Sequence, residues 1–323
     1  MSTAEAQDEQ AGSGTAGAPA RGAAAAFARQ MVLRADPVVA GRHHVDVDAR
    51  WNCPVVPQGG TMAALAAAAM TAEVADPDQR LRTLTTVFAA QVPAGPVELD
   101  ARVLRRGRSM TQATVTAHAP GTDAGHTSVA VFGVDRGGFE FTDLAMPAVP
   151  PPEDCPSFRD EPPPEADVDE PFVPFAFWEN TEGRAAIGHA PWERYVPATS
   201  ECASWYRFDD PPMRPDGTLD PLAVVALCDL MPSSVGERMG PRMDLPNWLP
   251  PSADLTVHLL AEARSEWVLS HMKARWAGEG YASVECALWD RGGRLVAHAS
   301  QVMFLVFPDG PPTGADRLPT DLR

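Results

Sequence analysis

Basic residues are scarce in this chain of 323 residues: 26 lysines and arginines stand against 43 aspartates and glutamates, a formal net charge of −17. A surface of that sign excludes nucleic acid as a partner, since phosphates demand a basic face, and it opposes adsorption on anionic membranes. Long apolar runs are missing too, so no membrane insertion is expected. The five cysteines, at 53, 155, 202, 228 and 286, include no CxxC and no paired spacing. That excludes a disulfide framework and predicts reduced thiols in a cytoplasmic compartment. His43, His44 and His298 have no companion spacing for zinc, so no metal is expected. The first residues lack a basic start with a long apolar core; 1–34 is predicted to be a disordered tail rather than a signal peptide.

What the chain does have is repetition. Val45, Val47, Ala49 and Trp51 alternate with polar residues, the period of a half-buried strand. Gly59-Gly60-Thr61 then opens an alanine-rich helix from Met62 to Ala75, followed by strand-like segments at 84–91, 97–105, 111–118 and 127–134. About 170 residues later the order recurs: a strand at 200–208, an apolar helix at Leu222 to Glu237, and strands at 254–260, 267–276, 281–289 and 295–307. Ala130-Val131-Phe132 answers Val302-Met303-Phe304, which sets Val129 against Gln301. Two copies are too few for a solenoid and suit a pseudo-dimer.

Between the copies, 146–175 holds ten prolines and eight acidic residues against one arginine, a composition that reads as a linker. The expected organisation is a tail (1–34), a first unit (35–145), the linker (146–175), a second unit (176–307) and a second disordered tail (308–323).

Trp51, Pro57-Gln58-Gly59-Gly60, the alanine-rich helix, Phe88, Gly95-Pro96-Val97-Glu98-Leu99 and Arg105-Arg106-Gly107-Arg108-Ser109 together resemble the first half of the acyl-CoA thioesterase II-like family. Asp229 in its apolar helix, Ser252-Ala-Asp254 and Ala299-Ser300-Gln301 resemble the second half. The resemblance covers roughly residues 35 to 307. It implies an α+β fold, the double hotdog: two curved antiparallel sheets, each wrapped around a long helix. It also implies hydrolysis of a fatty acyl-CoA by an activated water, with coenzyme A part of the substrate and no cofactor, and pairing of such units into a homo-oligomer.

Carried over by motif, the catalytic residues are Asp229, Gln301 and Ser252, which together hold and activate the water. Read from the residues alone, Asp229 is a carboxylate among apolar neighbours, costly unless hydrogen-bonded or protonated; it equally suits the solvent edge of an amphipathic helix. Gln301 stands in an apolar strand where its amide needs partners, or at an edge facing water. Ser252 follows Pro250-Pro251, ordinary turn chemistry, and Thr256 is the rival hydroxyl. Backbone N–H groups of Gly59, Gly60 and Thr61 at a helix start are the expected oxyanion donors. Arg105, Arg106 and Arg108 could meet the phosphates of coenzyme A or simply form a solvated hairpin. A non-catalytic acyl-CoA binding protein keeps the same groove without turnover. A hotdog hydratase would need an Asp and His pair that the sequence does not display.

Overall fold

The computed structural model describes residues 26–164, 166, 175–240 and 247–310. Residues 1–25 and 311–323 of the expected tails, and part of the linker, lie outside the described residues. In chain order the elements are α1 (Phe27–Gln30), β1 (Arg34–Ala35), β2 (Arg42–Val47), α2 (Gly59–Val74), β3 (Arg80–Phe88), β4 (Gly95–Arg106), β5 (Met110–His118) and β6 (Gly125–Gly133). The second half supplies β7 (Thr181–Ile187), β8 (Glu201–Phe208), α3 (Pro221–Cys228), α4 (Pro232–Met239), β9 (Asp254–Leu259), β10 (Val268–Gly278), β11 (Tyr281–Asp290) and β12 (Leu295–Phe304).

The strands form one antiparallel sheet of 12, ordered β1-β2-β4-β5-β6-β3-β9-β12-β11-β10-β8-β7. Outward from the β3–β9 seam, both halves repeat one permutation of their chain order. At the seam Thr85 pairs with Thr256, and their hydroxyls lie 3.1 Å apart. Thr85 pairs on its other side with Val129, as Thr256 does with Ser300. Val129 is therefore the counterpart of Ser300, on the outer face, and the inward counterpart of Gln301 is Ala130. The sequence alignment was one residue out, and a slip of one residue reverses every face in a strand.

Helix α2 is buried nearly all round, which is why alanine dominates it: small side chains let another backbone approach. The Gln58 side chain caps its start by accepting from the Thr61 N–H, and Ala75, in the left-handed region, ends it. The helix expected from Leu222 to Glu237 is divided. Pro232 has no N–H to continue the ladder, so α3 ends at Cys228 and α4 starts afresh after Asp229, Leu230 and Met231.

Two further expectations change. Residues 26–34 are ordered: Phe27 stacks on Phe208 at 4.6 Å and meets Trp51 edge-on at 5.8 Å, because an aromatic of that size gains most by burial. The described part of 146–175 lies against the second half instead of spanning free. Trp205 Nε1 donates to the Pro150 carbonyl at 2.9 Å, and Arg291 pairs with Glu153. Phe158 meets Tyr206 edge-on. Trp205, Trp267 and Trp289 form an apolar cluster on that side of the sheet, and Met146, Val149 and Cys155 cover it. The Asp290-Arg-Gly-Gly293 turn joins β11 to β12, closed by the Gly293 N–H on the Asp290 carbonyl.

Candidate active site

Asp229 occupies the position after the last turn of α3, with its backbone N–H on the Ala226 carbonyl. A helix C-terminus is electronegative, a poor place for a carboxylate. The compensation comes from the other half: Gly60, in the first turn of α2, donates its N–H to Asp229 Oδ2 at 2.8 Å, supplying one of that helix's unpaired donors. The Ser252 hydroxyl donates to Oδ1 at 3.1 Å. Burial nevertheless dominates and pushes the Asp229 carboxyl from 3.8 up to about 7, while the two hydrogen bonds pull the other way. Asp229 is therefore a buried carboxyl poised near neutrality, not the solvent edge of a helix.

Glycine is required at Gly60, where backbone blocks a Cβ, and at Gly59 a Cβ would displace the side chains beside it. A Cβ on Gly60 would stand 2.5 Å from the Ala226 carbonyl oxygen and 2.7 Å from Asp229 Cβ. One on Gly59 would stand 2.8 Å from Asp229 Oδ2 and 3.0 Å from the Phe88 ring.

Ser252 forms a bridge with Met303, two residues beyond Gln301 on β12. Asp254 fixes this register: its Oδ1 accepts from the Val302 N–H at 2.7 Å, and the Ala253 N–H donates to the Val302 carbonyl. Gln301 and Met303 both face inward, so Gln301 lies on the face of β12 that Ser252 adjoins. Gln301 is 2% exposed, and neither its amide nitrogen nor its amide oxygen has a hydrogen-bond partner among the described residues. Native interiors rarely leave such a group unsatisfied without a functional reason. Thr256, the rival hydroxyl, is spent at the seam on Thr85.

The oxyanion expectation needs correcting. The Gly60 N–H is committed to Asp229 and the Thr61 N–H to Gln58 Oε1, because the first turn of α2 uses them for its own cap and for the buried carboxylate. Of the three, only the Gly59 N–H has no acceptor among the described residues. Arg106 is also occupied, donating to the Val74 and Glu73 carbonyls at the end of α2.

Gln58 is the residue whose role the sequence reading missed. It sits in the quoted Pro57-Gln58-Gly59-Gly60 motif, and its Nε2 donates to the Ala226 carbonyl at 3.0 Å while its Oε1 caps α2. One side chain thus fastens the start of α2 to the end of α3. Burial, with the Asp229 charge nearby, pushes the Cys53 thiol up to about 12, and Cys228 is held protonated by burial; neither is a nucleophile. Among the described residues no group of three or more His, Cys, Asp or Glu could hold a metal ion, and no helix is long and apolar enough to cross a membrane.

A large antiparallel sheet over buried helices, with a near-neutral carboxyl where two helix ends meet, defines a hotdog-type thioester hydrolase. The chain belongs to the acyl-CoA thioesterase family: the model of the acyl-CoA thioesterase N-terminal domain matches residues 47–133 and that of the C-terminal domain residues 152–305. Among solved structures it is similar to a conserved protein of unknown function with a hot dog fold from Alicyclobacillus acidocaldarius, at 26% identity and TM-score 0.71, covering 87% of this chain and 98% of that one. It is similar in fold to an acyl-CoA thioesterase II, TesB2, from Mycobacterium marinum, at 22% identity and TM-score 0.66, covering 88% and 99%. A tesB protein from Mycobacterium avium subs paratuberculosis matches at 18% identity and TM-score 0.66, covering 87% and 98%. No curated protein matches the sequence at a significant level.

Proposed function

We propose that this chain is a double hotdog enzyme that hydrolyses a fatty acyl-CoA thioester to the free acid and coenzyme A, at a single site built around Asp229. The observation that carries the reading is the Asp229 carboxyl itself: buried, drawn up to about 7, and oriented by one donor on each oxygen. A general base is most effective when its pKa lies near the working pH.

In this mechanism Asp229 takes a proton from a water that Gln301 and Ser252 also bind. The resulting hydroxide adds to the thioester carbonyl. The Gly59 N–H, the remaining free donor of the first turn, stabilises the developing oxyanion. Collapse of the tetrahedral intermediate breaks the C–S bond, and the proton on Asp229 passes to the departing thiolate. Atoms balance with water alone, so no cofactor enters, and coenzyme A is part of the substrate. Among the described residues no histidine is a hydrogen-bond partner of Asp229, which favours hydrolysis over hydration of a double bond. All five cysteines are unpaired, which suits a reducing, cytoplasmic compartment.

The test is release of free thiol from acyl-CoA substrates of graded chain length by the wild type and by Asp229→Asn. Turnover that depends on Asp229 supports the reading. Tight acyl-CoA binding without turnover would make the protein an acyl-CoA binding module instead.

A further inference from the structure

At the far end of the helix pair from Asp229, the last turn of α2 and the first of α3 border a cavity of about 270 Å³. Its walls include Thr71, Leu81, Phe132, Leu222, Val224 and Leu259. These positions are not arbitrary. Leu81 pairs with Phe132 as Ser252 pairs with Met303. The seam that sets Thr85 opposite Thr256 likewise makes Leu259 the counterpart of Phe88, and Leu222 is the second residue of α3 as Gly60 is of α2. The cavity is therefore the two-fold counterpart of the Asp229 site. Its chemistry has been removed: Leu81 stands for Ser252, Ala130 for Gln301, and α2 offers alanines where α3 ends in Asp229.

We propose that this cavity is a second site, one that binds an aliphatic acyl chain without hydrolysing it. The proposal rests on the acyl-thioester reading of the Asp229 site. A volume of 270 Å³ equals about nine waters at roughly 30 Å³ each, and a methylene is of similar size, so a chain of about eight carbons fits. Leu260, half exposed at the cavity, extends the apolar wall toward solvent. Arg214, also in the wall and 43% exposed, reaches Asp220 only at 3.6 Å, beyond a normal hydrogen bond. Exchanging this loose ion pair lets its guanidinium meet an anionic head group, which a free carboxylate and a coenzyme A phosphate both present, and Arg80 and Arg82 in the wall offset the carboxylates of Asp76 and Glu262 there.

Titration calorimetry on the full chain separates the two sources, with sodium octanoate in one arm and the non-hydrolysable thioether S-octyl-CoA in the other. Two binding equivalents are expected in at least one arm. Ala263→Leu, which fills the cavity, and Leu260→Trp, which crowds its mouth, are each expected to weaken one of them by more than about tenfold. A single equivalent in both arms, or two that survive both substitutions, overturns the proposal. So that the result does not hang on how those variants fold, wild-type crystals are soaked with 8-bromooctanoate. An anomalous bromine peak against Leu222 and Phe132 is expected, and a peak only beside Asp229 overturns the proposal. Thiol release separates this proposal from the reading it rests on. A protein that releases thiol but binds one equivalent has no second acyl site; one that binds two equivalents but releases no thiol is not a hydrolase.

Discussion

The Gly60 N–H of the first half donates to Asp229 Oδ2 of the second at 2.8 Å, across 169 residues of chain. The contact exists because neither Gly59 nor Gly60 carries a Cβ, and it couples the packing of α2 on α3 to the orientation of the carboxyl. Gly60→Ala would drive a methyl into the Ala226 carbonyl and Asp229 Cβ. We expect a loss of about 1–3 kcal/mol of stability, typical of overpacking, together with a fall in kcat, measured by denaturant unfolding and thiol release.

Gln58→Ala removes both the cap of α2 and the bond to the Ala226 carbonyl. Loss of the cap alone is expected to cost about 1 kcal/mol, and loss of the second donor to the Ala226 carbonyl, which keeps only the Asp229 N–H at 3.4 Å, adds to it. In steady-state kinetics kcat should fall more than KM rises, because Gln58 acts through the placement of Asp229 and Gly60.

Gln301→Met tests whether the unpaired amide is kept for function. Since neither amide atom has a protein partner, replacing it with an apolar side chain of similar length should leave the melting temperature unchanged or raise it. Turnover should drop by about 10² or more, the scale of a lost positioning or acid–base group. A large loss of stability would show that Gln301 is a structural residue.

Asp229 has a raised folded-state pKa, about 7 against 3.8. Its contribution to stability is therefore fully present below pH 3.8 and is lost as the pH rises through about 7, since the folded chain binds the extra proton. Asn keeps an acceptor for Gly60 and offers a donor to Ser252 without the buried charge. The stability advantage of Asp229→Asn over the wild type should thus widen between pH 5 and pH 9, by up to a few kcal/mol. Thermal unfolding at the two pH values measures this. His126, whose ring burial lowers to about 4, affects both chains alike and cancels in the comparison.

The burial of two candidate residues was legible in the sequence. Asp229 and Gln301 stood out as polar residues in apolar periodicity, and both are buried. Ser252 was the motif's hydroxyl and Thr256 its rival; Ser252 bonds Asp229, whereas Thr256 meets Thr85. The hidden parts depend on relations between distant segments. Nothing local says that the Gly60 and Thr61 donors are already spent, or that Gln58 reaches Ala226. The one-residue slip between Val129 and Ala130 arose because an alternating strand offers two plausible registers, and only the Thr85–Thr256 seam chooses. Pro232 carries the signal for dividing the second helix, which the expectation of one helix from Leu222 to Glu237 overlooked, whereas the seating of 149–158 depends on tryptophans that sequence order does not bring together.

The most direct test of the central claim is kcat/KM for thiol release from a medium-chain acyl-CoA, followed from about pH 5 to pH 9 in the wild type and Asp229→Asn. The wild type should lose about tenfold per pH unit below roughly pH 7, as a single base is protonated, and Asp229→Asn should show a nearly flat profile that lies at least about 10² below the wild type above pH 7, the gap closing toward pH 5. A flat wild-type profile, or Asp229→Asn turning over at the wild-type rate above roughly pH 7, would contradict the account.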